Sequence, residues 1–145
     1  LQDPLHDGVA ALIAELNRIE AAHPALHLGD GTHDGFAWLV VDDADHSTFA
    51  VERRVPGGRP DEVVVAVANL SGVWQHGYRI GLAVDGPWQV VLSTADARFG
   101  GHGHGPTGAV AVEPEPCQDR PASTVLDLPP RTVLYLAPGD PGSAG

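Results

Sequence analysis

There is no methionine anywhere in these 145 residues, not even at position 1. The expectation is that the chain is a piece of a longer protein. Lysine is missing too: the 8 basic residues are all Arg, set against 19 Asp and Glu, for a formal net charge of −11. A surface this acidic repels phosphate backbones and anionic headgroups, which argues against nucleic-acid and membrane partners. A single cysteine, Cys117, excludes an internal disulfide and suits a reducing, cytoplasmic setting. It sits beside Pro116, with Arg120 the nearest basic residue in sequence, and reads as a structural thiol rather than a nucleophile. No apolar run approaches the ~20 residues that a membrane-spanning helix needs. The opening Leu1-Gln-Asp-Pro4 carries neither the basic nor the apolar region of a secretion signal.

What the chain does contain is turn chemistry: 18 Gly and 13 Pro are spread between short apolar runs. The run Val63-Val-Val-Ala-Val-Ala-Asn69 is the centre of the pattern. It is short, β-branched and bounded by turns, as a strand covered on both faces would be. Asp3-Pro4 opens a helix whose apolar positions recur at Leu5, Val9, Leu12, Ile13, Leu16 and Ile19, and Pro24 ends it. Gly29-Asp-Gly31 and Asp34-Gly35 are turns. Strands are expected at 36–41, 47–53, 63–69, 78–82, 88–92, 109–112, 124–128 and 132–136. The prolines at 114, 116 and 121 exclude regular structure between them, and the residues from Pro138 read as a frayed tail. The fold class is mainly β: an antiparallel β-sandwich of about eight short strands preceded by one amphipathic α-helix. A lone amphipathic helix is marginal, so its stripe must dock on something, in this chain or outside it.

Candidate chemistry is sparse. The loop Gly100-Gly-His-Gly-His-Gly105 lacks the following helix of a phosphate cradle. As a metal site it offers His102 and His104, with Asp96 as a possible third ligand, where zinc wants three or four. Asp42, Asp43 and Asp45 lack the spacing of an EF-hand loop and read as a solvated turn. Asn69-Leu-Ser71 matches a glycosylation sequon but has no secretion signal behind it. Of Trp38, Trp74 and Trp88, core packing is the default. Trp74, on a turn between strands, is the candidate for exposure and for contact with a sugar. Neither a framed pair of carboxylates nor a Ser/His/Asp elbow is present, so no catalytic residue is assigned. No metal site or cofactor is assigned either.

Several phrases, read in order, resemble the carboxyl-terminal portion of bacterial α-1,4-glucan (glycogen) branching enzymes, members of the α-amylase superfamily. They are Leu16-Asn-Arg18 with His23-Pro-Ala-Leu-His27, Gly35-Phe-Ala-Trp38 with Asp42-Asp43, and Val63-Val-Val-Ala-Val-Ala-Asn-Leu70. Gly77-Tyr-Arg-Ile-Gly-Leu82, Gly86-Pro-Trp88, Phe99-Gly-Gly101, Leu128-Pro-Pro130 and Leu134-Tyr-Leu136 follow. The resemblance covers roughly Leu5 to Ala137. It implies that residues 1–28 are the last helix of a truncated (β/α)8 barrel and its exit. Residues 29–138 would be a C-terminal all-β domain and 139–145 a disordered tail.

The family cleaves an α-1,4-glucan and transfers the freed chain to a 6-hydroxyl, with an Asp nucleophile and a Glu acid/base. Those residues lie in the upstream barrel, and no position here matches their motifs. The resemblance therefore implies a non-catalytic domain of glycogen biosynthesis. Its partners would be the upstream catalytic barrel and the α-glucan (glycogen) itself, with Trp74 the glucan-binding candidate. Rival readings are a free-standing glucan-binding module, the same domain from another α-amylase-superfamily enzyme, and a metal-binding accessory through His102 and His104.

Overall fold

The computed structural model describes residues 4–28 and 35–139. The cap expected at Asp3, the turns expected at Gly29–Gly31 and Asp34, and the tail expected from residue 140 lie outside the described residues. Helix α1 spans Pro4–Ala22 and is followed by a 3-10 turn at Pro24–Leu26. Eight strands follow: β1 Phe36–Asp43, β2 Thr48–Arg54, β3 Val63–Asn69, β4 Gln75–Leu82, β5 Trp88–Ser93, β6 Gly108–Val110, β7 Ala122–Leu128 and β8 Thr132–Pro138. All pair antiparallel. A second 3-10 turn, Ala97–Phe99, follows β5.

The strands form a six-stranded sheet in the order β1-β2-β3-β8-β5-β6 and a two-stranded sheet, β4-β7. The chain leaves the large sheet after β3, runs through the small sheet as β4 and returns as β5. It crosses again as β7 and comes back as β8, which inserts between β3 and β5. β3 has β2 on one side and β8 on the other, and six of its seven residues are buried. Val63, Val65 and Val67 pack in one core with Ile80, Leu82, Leu126, Leu128, Leu134, Leu136 and Trp88. Val64 points the other way and packs with Ala25 and Ala137, with Leu26 and Tyr135 around them. The short turn at Pro24–Leu26 is thus what covers the outer face of the central strand. Each Val fully buried in this way is worth ~1.5–3 kcal/mol, so both layers matter to the strand.

Side chains fix the crossings. Asn69 is buried, and its Nδ2 donates towards the carbonyl oxygens of Val73, Leu128 and Pro129 at 3.0, 3.1 and 3.0 Å. Its Oδ1 accepts from the Ser71 backbone N–H and hydroxyl. The apparent sequon is thus the bracket that ties the end of β3 to the end of β7. Glu52 on β2 is 1% exposed and takes a two-pronged bond from Arg120, at 2.8 and 3.0 Å. Arg120 belongs to a tight turn closed by paired hydrogen bonds with Cys117. Between the prolines, therefore, the chain is not shapeless: it forms a small buttress on β4, where the Gly81 N–H donates to Gln118 Oε1 at 2.7 Å.

Helix α1 is seated at one place by a glycine. A Cβ on Gly8 would stand 2.7 Å from the carbonyl oxygen of Phe99, so only glycine permits this approach to the Ala97–Phe99 turn. Farther along, Ile19 is buried and Leu12 and Leu16 are half-buried. Val9 and Ile13, four apart on the same stripe, are each 54% exposed. Among the described residues no helix is long and apolar enough to cross a membrane.

Candidate functional site

The three tryptophans have three different fates. Trp88 is in the core, with its Nε1 donating to the Val84 carbonyl at 3.0 Å. Trp74, between β3 and β4, is 36% exposed. Trp38 does not follow the core default: it is 52% exposed on the outer face of edge strand β1. There it meets Phe36 edge-on at 5.4 Å and Phe49 at 6.3 Å. The run from Phe36 to Val41 is apolar at every position, so no alternation in it marks which face is inward.

Trp74 stands in a row of aromatic rings that comes from two distant parts of the chain. His76 stacks parallel to it at 5.6 Å, and His102 lies on it at 6.1 Å with a 40° tilt. His104 in turn stacks on His102 at 5.4 Å. The glycine loop makes this possible: positive φ at Gly100, Gly103 and Gly105 folds it back on itself. The His102 Nδ1 accepts the backbone N–H of His104, so the two imidazoles lie side by side rather than converging on one point. Asp96, weighed as a third metal ligand, is turned instead onto Arg98: its carboxylate accepts the Arg98 backbone N–H and pairs with the guanidinium at 3.1 Å. Among the described residues no three of His, Cys, Asp and Glu gather where a metal ion could sit.

Trp74 and His104 line a groove of about 560 Å³ with Thr107, Val110, Val125 and Asp127. Asp127 is held in place by the Gly77 N–H at 2.9 Å, with His76 at 3.5 Å. A flat aromatic wall, an apolar floor and a fixed, solvent-facing carboxylate suit a neutral polyhydroxylated ligand with an apolar ring face. Sequence reasoning picked out Trp74 and the two loop histidines separately. It missed that they form one row and that Asp127, on β7, completes the groove.

Two further carboxylates, Asp43 and Glu52, are engaged in the structure. Asp43 of the acidic turn accepts the Tyr78 hydroxyl at 2.5 Å and is met by His46 Nδ1 at 2.7 Å. The Tyr78 hydrogen bond, with His46 beside it, holds the Asp43 carboxyl below its ordinary range, while burial first and then Asp43 push the Tyr78 phenol up. Glu52 lies in a second hollow, of about 580 Å³, and is occupied by Arg120 and Arg54. None of these arrangements sets two free carboxylates across a shared space.

Comparison with known proteins adds to this geometry. Residues 38–139 match the family described as the alpha amylase, C-terminal all-beta domain. The 1,4-alpha-glucan branching enzyme GlgB of Burkholderia vietnamiensis is 44% identical over 138 residues, 95% of this chain and 18% of that protein. That of Bordetella bronchiseptica is 44% identical over 136 residues, 94% of this chain and 18% of its own length. That of Burkholderia cenocepacia is 45% identical over 138 residues, again 95% and 18%. The chain spans about a fifth of the length of the curated relatives it matches. With its two antiparallel sheets, its leading helix and this match, the chain belongs to the alpha-amylase C-terminal all-beta domain family.

Proposed function

We infer that this chain is the non-catalytic C-terminal β domain of a 1,4-alpha-glucan branching enzyme, with residues 1–28 supplying the last helix of the catalytic barrel and its exit and residues 29–138 the β domain. The parent would cut an α-1,4-glucan and pass the freed chain to a 6-hydroxyl during glycogen biosynthesis in the bacterial cytoplasm. The β domain would support the barrel and offer the glucan a contact at Trp74. The observation that carries this reading is the helix. Val9 and Ile13 sit at 54% exposure beside Leu12, Leu16 and Ile19, which are turned towards the protein, as a surface awaiting a cover would. The match to branching enzymes extends over 138 residues, so it runs beyond the β domain at 38–139 and supports reading the helix as part of the same parent.

The test is an amylose-branching assay read by the iodine spectrum. The chain alone should leave the spectrum unchanged. Joined to the upstream barrel of the Burkholderia vietnamiensis relative, it should restore branching that the barrel lacks without it. A spectral shift produced by the chain alone, or a barrel fully active without it, overturns the reading.

A further inference from the structure

The groove beside Trp74 opens at one edge of the sandwich, between β6 of the large sheet and β7 of the small one. Its floor is Val110 and Val125. Its wall is made by Trp74 and His104, the two rings of the four-ring row that line the groove. Asp127 stands at its rim, 60% exposed, oriented by the Gly77 N–H. The row is assembled from the β3–β4 connection and the glycine loop after β5, and one buried residue keeps the first of these in place. Asn69 donates to the Val73 carbonyl, immediately before Trp74, and to the carbonyls that end β7. The Trp74 side of the wall is therefore anchored from the core.

We propose that this groove is an α-glucan holding site: a glucosyl ring lays its apolar C–H face on Trp74 and His104 while its hydroxyls donate to the Asp127 carboxylate. This rests on reading the chain as a domain of a glucan-acting enzyme, and it goes further by giving the glucan a defined groove and a polar anchor. The chemistry selects against the alternatives. Asp127 and a net charge of −11 repel phosphate or a sulfated chain. The free edge of β6 is three residues long, too short a ladder to hold an added peptide strand. An uncharged chain of hydroxyl-rimmed rings meets neither obstacle, and an aromatic ring with one carboxylate is a common way to hold it.

The experiment uses the whole 145-residue chain in native gels with and without glycogen, and in fluorescence titrations with maltoheptaose. The intact chain is retarded by glycogen and its tryptophan emission changes with maltoheptaose. Trp74→Ala weakens binding by about tenfold or more, the loss expected for a central aromatic contact. Asp127→Asn keeps a side-chain oxygen for the Gly77 N–H and weakens binding less. Trp38→Ala, at the opposite edge of the large sheet, binds as the intact chain does. Circular dichroism verifies that each variant is folded. Unretarded migration of the intact chain, unchanged binding in both groove variants, or loss of binding in Trp38→Ala overturns the proposal. Branching by the joined protein is read separately. Activity without glycogen retardation sinks the groove and leaves the proposed function standing, and retardation without activity does the reverse.

Discussion

At the scale of single residues, the informative contact is Tyr78 on Asp43. It joins β4 of the small sheet to the last residue of β1 in the large one. Because the folded protein holds the Asp43 carboxyl below its unfolded value, it binds fewer protons than the unfolded chain as acid is added. The stabilisation is complete above about pH 4 and is lost as pH falls through the lowered folded value. Tyr78→Phe removes the hydroxyl, and the expected cost at pH 7 is about 1–2 kcal/mol, with a shallower loss of stability at low pH than in the parent chain. Urea unfolding at pH 7 and pH 3 measures both, and an unchanged acid slope would show that the bond is not its source. His23 supplies a separate loss. Burial first, and then Arg18, lower its pKa, so protonation opposes the fold once pH drops below about 6.5. That early decline should persist in the Phe variant.

At the scale of elements, Gly8 reverses an ordinary expectation. In a free helix Gly→Ala is worth about 1 kcal/mol of stabilisation. Here the new methyl would meet the Phe99 carbonyl at 2.7 Å, backbone that cannot swing aside, and forcing such contacts costs about 1–3 kcal/mol. The balance predicts that Gly8→Ala lowers the melting temperature and makes α1 easier to cleave by protease. A raised melting temperature would refute the seat.

The eight strands were legible in the sequence because their apolar runs are short and separated by Gly and Pro. The ends were less so. β4 begins at Gln75 rather than Tyr78, since a bulge around Gly77, at φ 66°, lets pairing resume beyond the glycine. β6 covers Gly108–Val110 rather than 109–112, beginning one residue earlier and ending two earlier. The Cys117–Arg120 turn was hidden by prolines that do rule out a strand but not a reverse turn. The sheet order, and with it the meeting of Trp74, His102 and Asp127, depends on which distant strands pair, and no local pattern encodes that.

At the scale of the whole molecule, two positions on one helix separate what this chain needs from what the proposed parent would need. Ile13→Glu places a charge where the side chain is already 54% exposed, so the isolated chain should change by no more than about 0.5 kcal/mol. In the protein joined to the upstream barrel of the Burkholderia vietnamiensis relative, the proposed function expects the same substitution to lower the melting temperature and the branching rate. Ile19→Glu, at a buried site, should unfold the isolated chain outright. If Ile13→Glu leaves the joined protein untouched, the exposed stripe has no cover to lose.

β8 is the last strand among the described residues and lies in the middle of the large sheet, with β3 on one side and β5 on the other. Without it the sheet is two unconnected pieces, one of three strands and one of two. During synthesis, those pieces leave the ribosome with open edges and wait for a segment near residue 138 to bridge them. A nascent sheet whose two pieces meet only through β8 is exposed to wrong partners until that strand is made. Prompt chaperone cover, rather than early folding, is what such an order of strands demands of the cell that makes it.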